Sequence, residues 1–297
     1  MHISRLFPVL SAIGIASASA AYSQGSDPLS GFEYDGYLQF EAGSSGGTLF
    51  RSFSGLLDMS GPLGGGVGFS FFAYGMATSS ANLRAVMPSL YFNLNNDSRL
   101  YVGIPRSAMA LYRPESPLLR NPRWGPGLFL TYHEGPMALV QVVGSYGVGI
   151  RYDTKLGAVD VSASANYYPA YSNAELAVAA QYDTGGLIWS GGASYLQGSN
   201  FNAFVAVKGQ SGAFSYGAEY DYSASPAPDL AMIYGNYAVN DRLSIGLSGA
   251  ASLSAAPSYI AGVDAIYKLG SSGFVRADLT SRSTSGVQAA LSVGLDF

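Results

Sequence analysis

The stretch Val287-Gln288-Ala289-Ala290-Leu291-Ser292-Val293-Gly294-Leu295-Asp296-Phe297 decides the fold. Its odd positions read Val287, Ala289, Leu291, Val293, Leu295 and Phe297; its even positions read Gln288, Ala290, Ser292, Gly294 and Asp296. Strict alternation sends the two sets to opposite faces of a β-strand. One face is apolar and suited to lipid, the other small and polar and suited to water. A helical stripe of period 3.6 produces no such columns.

Working back from there, the same period recurs. Val275, Ala277 and Leu279 oppose Arg276, Asp278 and Thr280. Phe214, Tyr216, Ala218, Tyr220 and Tyr222 oppose Ser215, Gly217, Glu219 and Asp221. Val159, Val161, Ala163 and Ala165 oppose Asp160, Ser162, Ser164 and Asn166. Turn chemistry separates these runs: Thr154 to Gly157, Asp183 to Gly186, Gly209 to Gly212, Asn240-Asp241 and Gly270 to Gly273. Glycine, asparagine and aspartate supply the positive φ that short hairpins demand. Longer polar links alternate with these tight turns, which is the meander of an antiparallel, up-and-down transmembrane β-barrel. Tyr152, Tyr182, Tyr267 and Phe297 lie beside the tight turns, and Tyr167, Tyr195, Tyr222 and Tyr259 beside the longer links. That places an aromatic girdle at each rim.

Composition agrees with lipid on the outside. Only 11% of the 297 residues are charged, against roughly 25% in a soluble domain. A soluble sandwich also alternates, but it carries far more charge on its outward face. The absence of cysteine excludes disulfides and thiolate-bound metal. A net charge of −4 makes nucleic acid a poor partner.

The chain opens on a targeting pattern. His2 and Arg5 precede the apolar run Leu6 to Ala16, and Ala18-Ser19-Ala20 matches an A-x-A cleavage site. We read residues 1–20 as a signal peptide, cut between 20 and 23, and 24–297 as the barrel. Alternation gives 18 strands, with 16 the alternative because single-chain bacterial barrels use even numbers. Strands are read at 127–133, 137–144 and 147–153 among others, and the weak point of the count is Met137 to Asp153, where only Gly144 to Gly147 suggests a loop. Either count leaves an aqueous channel rather than a filled core.

Three segments then resemble the alphaproteobacterial general porins of the Gram-negative outer membrane. The terminal strand Leu291 to Phe297, ending on phenylalanine, looks like that family's assembly signal, with Leu291, Val293, Leu295 and Phe297 as its apolar positions. Met59 to Phe69 is similar to the family's second hairpin and Ala174 to Tyr182 to a middle strand. The resemblance spans the mature chain mostly as pattern, with shorter loops and fewer charges here. It implies a 16-stranded barrel, a homotrimer, recognition by the barrel-assembly machinery, and a third loop folded into the lumen.

Pro105 to Pro126 breaks the alternation for far longer than a median connection of about 4–6 residues. Five prolines exclude a regular central strand. The segment concentrates charge in Arg106, Arg113, Glu115, Arg120 and Arg123. Two placements fit: a loop folded inward that narrows the pore, or one exposed outside. The inward placement is the one taken, since long loops in compact folds are usually functional. By alternation Asp160, Glu175, Glu219, Asp221, Asp264 and Asp278 face the lumen, partly offset by Arg84, Arg151, Lys208, Arg276 and Arg282.

Nothing points to catalysis, a metal or a cofactor. His133 is the one histidine after the signal segment and carries no G-x-S-x-G or similar pattern beside it. The reading is a passive channel for small polar solutes and ions, set in outer-membrane lipid. Its rivals are a substrate-selective channel and a non-conducting structural or adhesive barrel. Tyr37, Tyr74, Phe204 and Tyr234 face inward by register without forming a clear track. On the resemblance, deleting Phe297 should lower the amount of assembled, heat-modifiable barrel before it alters conductance. Wild-type yields of the truncated protein would remove the assembly signal from the argument.

Overall fold

A computed structural model describes residues 31–78, 82–114, 136–142, 144–198, 200–224, 228–253, 257–283 and 286–297. Strands β1 (Glu33–Ser45), β2 (Thr48–Gly64), β3 (Val67–Thr78), β4 (Asn82–Asn95) and β5 (Ser98–Gly103) come first. Two short helices follow, α1 (Ala108–Leu111) and α2 (Pro136–Val142). The chain then continues as β6 (Val148–Leu156), β7 (Val159–Tyr168), β8 (Asn173–Asp183), β9 (Leu187–Leu196), β10 (Asn200–Ser211) and β11 (Phe214–Ser223). It ends with β12 (Leu230–Ala238), β13 (Leu243–Ser252), β14 (Tyr259–Leu269), β15 (Gly273–Arg282) and β16 (Gly286–Asp296). Among the described residues these are sixteen strands, each antiparallel to its sequence neighbours, closed into a barrel where β1 meets β16.

The closure runs from Tyr37 opposite Asp296 to Ser45 opposite Gln288. Gly36 and Phe297 extend it by a reciprocal pair of backbone hydrogen bonds of 2.9 and 3.0 Å. An ideal Cβ on Gly36 would lie 2.9 Å from the Phe297 ring, so glycine is what seats the terminal aromatic there. At the same rim, Gly157 and Gly212 open two-residue turns at φ +65° and +58°. Positive φ in the first turn position matches the twist of the flanking strands, and glycine adopts it without a steric penalty.

Alternation is realised as expected over most of the wall. On β16, Gln288, Ala290 and Ser292 are buried toward the interior, while Leu291 is 59% exposed on the outside. Tyr152, Tyr182 and Tyr267 are exposed at the rim of tight turns, and Tyr167, Tyr195, Tyr222 and Tyr259 at the opposite rim.

Two expectations change. The run 137–144 is not a strand: Pro136–Val142 is helical, with Met137, Ala138 and Val140 buried against the interior faces of β3 and β4. A short apolar run has no period that separates strand from buried helix, and proline is tolerated at a helix start. The expected strand 127–133 lies outside the described residues. The count of sixteen, not eighteen, therefore holds. Arg84 also changes sides. It shares the outward parity of Leu90 and Phe92, because the inward positions of β4 are Ala85 and Met87, where α2 packs.

The outer face predicts a mutational asymmetry. Leu291→Arg, at mid-strand on the outer face, should cost about 2–4 kcal/mol of stability in lipid. Gln181→Arg, on the interior parity of β8, should cost well under half of that. Urea titration of folding into phospholipid vesicles measures both, and equal costs would remove lipid from the outer face.

Candidate functional site

The interior is crossed by the segment that follows β5. Gly103, at φ +132°, turns the chain, and the Ile104 N–H donates to the Pro88 carbonyl at 2.8 Å. Pro105 and Ser107 to Ala110 are then buried inside the barrel. Small residues make this fit: Ala108 and Met109 rest on Ala177, Ala179, Phe204 and Ala206 of the wall. The wall also satisfies the helix start. The Ala108 N–H donates to Ser164 Oγ at 3.0 Å, and Ser107 Oγ donates to Glu175 Oε1 at 3.3 Å rather than capping its own helix. Asn166 and Tyr168 donate to the other oxygen of Glu175 at 3.1 and 2.7 Å. A carboxylate with three donors is a fixed anchor.

Arginines fasten the same segment at three points. Arg106 Nη1 donates to Asp58 Oδ2 at 3.0 Å, its guanidinium 4.3 Å from the centre of the Phe72 ring. Arg151 donates to the Arg106 carbonyl at 3.2 Å, pairs with Asp153 at 3.0 Å and covers the Tyr101 ring at 3.9 Å. Arg113 reaches β11, where Nη1 donates to Glu219 at 2.9 Å and also to Asp221, over the Phe204 ring at 4.4 Å. The Arg113 side chain is only 4% exposed. A buried cluster of this kind is roughly neutral as a whole, yet removing one partner costs about 3–5 kcal/mol, because a charge is left buried alone.

The structure thus gathers Arg113, Glu219 and Asp221 into one cluster and gives Glu175 to Ser107. Arg106 is held separately, by an Asp58 that sequence reasoning passed over although it shares the inward parity of Ser52 and Ser54. Asp264 and Asp278 lie side by side on β14 and β15, with Arg276 3.8 Å from Asp264. Asp160 stands apart near the tight-turn rim, 3.9 Å from Lys155 and half exposed. Tyr37, Tyr74 and Phe204 are buried on inward positions. Glu115, Arg120, Arg123 and His133 lie outside the described residues. Among the described residues no group of three or more His, Asp or Glu side chains is placed to hold a metal ion.

A second inward element seals the wall. β5 ends at Gly103, so among the described residues the part of β4 before Ser89 has no strand beside it on that side. Gln141 of α2 fills the role: its Oε1 accepts from the Val86 N–H at 2.6 Å and its Nε2 donates to the Val86 carbonyl at 2.9 Å. One side-chain amide stands in for one residue of a neighbouring strand. Nothing in the sequence signals this, because 137–144 reads as a strand.

Neither a protein-family model nor any curated protein matches this chain. Solved structures do. A triple mutant of the Rhodopseudomonas blastica porin superposes with a TM-score of 0.67 at 16% identity, covering 90% of this chain and 100% of that one. A mutant of the same porin with five substitutions gives a TM-score of 0.65 at the same identity and coverage. The architecture is that of a porin-like barrel.

Gln141→Leu should expose how much the wall depends on α2. It leaves the part-buried N–H and carbonyl of Val86 without that partner, at no more than about 1–3 kcal/mol for each group. The expected outcome is a lower urea midpoint with α2 newly open to protease, while an unchanged midpoint would mean that water pairs Val86 equally well.

Proposed function

We propose that this protein is an outer-membrane porin, a water-filled channel for passive diffusion of small polar solutes and ions. The observation that carries this reading is a closed barrel, apolar outside and polar inside, whose interior is crossed by a segment fastened to β11 through Arg113. The superposed structures are porins by name, which supports the reading at the level of fold. Among the described residues no helix is long and apolar enough to cross a membrane. Insertion as a barrel is the consistent route, since lipid tolerates only structures that pair their own backbone.

In this proposal the inward segment is the pore constriction. Arg106 and Arg113 line it, with Glu115, Arg120 and Arg123 belonging to the same stretch of chain. Glu219 and Asp221 face it, and Asp160, Glu175, Asp264 and Asp278 keep the remaining wall hydrated and charged. Residues 1–20 direct export and are removed. The strand ending Leu291, Val293, Leu295 and Phe297 is read by the barrel-assembly machinery, and the working unit is a homotrimer in outer-membrane lipid. No catalytic step, metal or cofactor enters this proposal.

Fields in a narrow opening flanked by low-dielectric walls exceed those on an open surface. Single-channel recording in planar bilayers therefore tests the constriction directly. Arg113→Ser should raise conductance and move the reversal potential toward cations. Glu219→Ser combined with Asp221→Ser should move it toward anions, because Arg113 is then uncompensated. If neither quantity responds to either change, this segment does not border the conducting path.

A further inference from the structure

The outer face of the barrel is almost without charge, and its two exceptions fall together. Arg51 on β2 stands opposite Ala42, which stands opposite Leu291 on the outer face of β16. Arg84 on β4 stands opposite Gly75 of β3, itself opposite Gly55 of β2. Both arginines have outward parity and both are exposed. Every other Asp, Glu, Lys and Arg on the described strands has inward parity. Only β3 separates the pair, and its outward residues between them are Gly75 and Ala77. No carboxylate shares that face, so among the described residues neither guanidinium has an ionic partner.

Their depth is set by strand length. Counted from the rim of the longer links, Arg51 is the fourth residue of β2 and Arg84 the third of β4. Those strands have 17 and 14 residues, more than the roughly 9–11 that a membrane crossing needs. The surplus brings both arginines to the level where hydrocarbon gives way to headgroups. At the same rim β7, β9, β11 and β14 expose Tyr167, Tyr195, Tyr222 and Tyr259. Where those strands present a tyrosine, β2 and β4 present an arginine.

Arginines at a membrane boundary also serve as plain anchors that lift their charge into water. Plain anchors suit either rim, yet the outward strand ends at the tight-turn rim are uncharged, as at Leu94, Leu156, Tyr182 and Leu269. Charge of one sign, on one side and at one rim, calls for a counter-charge there. A guanidinium binds phosphate oxygens in pairs. Two strand spacings across and four residues along put the two Cα atoms roughly 16 Å apart, a gap that two such side chains can close around one headgroup. Beside Arg51 the wall is apolar, with Leu49 83% and Phe40 48% exposed. That flank favours an anion that carries acyl chains over a free phosphate ion.

We infer that Arg51 and Arg84 hold the phosphate headgroup of an anionic membrane lipid against the outer wall of β2 to β4, in the leaflet at the rim of the longer links. The inference rests on the proposed function only for placement of the barrel in a membrane, since neither arginine borders the lumen. The lipid is then a fixed partner of this side of the barrel rather than part of the bulk solvent.

The test uses the full barrel, folded in detergent and titrated with palmitoyl-oleoyl phosphatidylglycerol or with the phosphatidylcholine of the same chains, read by native mass spectrometry. Phosphatidylglycerol should be retained saturably, as one tightly held molecule per barrel, and phosphatidylcholine should not. Arg51→Gln and Arg84→Gln should each weaken retention by about ten-fold. Lys155→Gln, which removes a cation of inward parity at the opposite rim, should leave it unchanged. Exchanging charge for amide at a lipid-facing position spares the fold, and heat-modifiable gel mobility checks that each variant is assembled. Equal retention of the two lipids, or arginine variants that hold phosphatidylglycerol as wild type does, would overturn the site. So would displacement of the lipid by millimolar inorganic phosphate, which would make it a site for free anions. Conductance in salt alone answers separately for the porin reading: a silent barrel that still retains phosphatidylglycerol would sink the channel and keep the lipid site.

Discussion

Every backbone N–H and carbonyl that faces hydrocarbon must find its partner within the chain, and the rest of this structure follows from that constraint. A sheet with free edges cannot meet it, so β1 has to pair with β16 across the whole length of the chain. The final residue completes the ring, with Phe297 bonded to Gly36 in both directions. Past the end of β5 the constraint is still honoured, because Gln141 lends Val86 the two bonds that a residue of a neighbouring strand would have made.

Once the barrel is closed, the interior becomes the place where polarity is arranged. Sixteen strands enclose more space than their side chains fill, and the segment after β5 turns into it. That segment is held by charge more than by apolar contact. Arg106, Arg113 and Arg151 each combine a carboxylate with an aromatic face, respectively Phe72, Phe204 and Tyr101. A guanidinium suits this double role because it is planar, always charged and weakly hydrated. The apolar contacts that exist are made by small residues, as where Ala108 meets Ala177 and Ala179.

How much of this could be read beforehand varies with the physics of each part. The wall was legible because lipid on one side and water on the other impose a period of two that side chains must follow, as in Val287 to Phe297. The inward loop was legible as an interruption of that period rich in proline. Its partners were only half legible. Glu175, Glu219 and Asp221 were placed on the inner face by alternation, but which of them meets Arg113 depends on register and on the course of the loop, which no local pattern encodes. Arg84 was misplaced because the inner face of β4 is apolar where α2 covers it, so charge there does not mark the lumen. The helix α2 itself was read as a strand, since Met137 to Val142 is too short and too uniformly apolar to show a period.

The short fifth strand has a mechanical consequence. In a closed barrel each strand is held from both sides, so twist or strain at one point is shared around the whole circumference. At the height of Val86 no strand among the described residues completes that circuit on the β5 side, and a single carboxamide carries what a continuous ladder carries elsewhere. The ring is therefore stiff near its tight turns and softer at the opposite rim between β4 and β7. Under thermal agitation the aperture there should breathe along one axis, becoming elliptical rather than uniformly wider, with the α2 segment riding on the moving side.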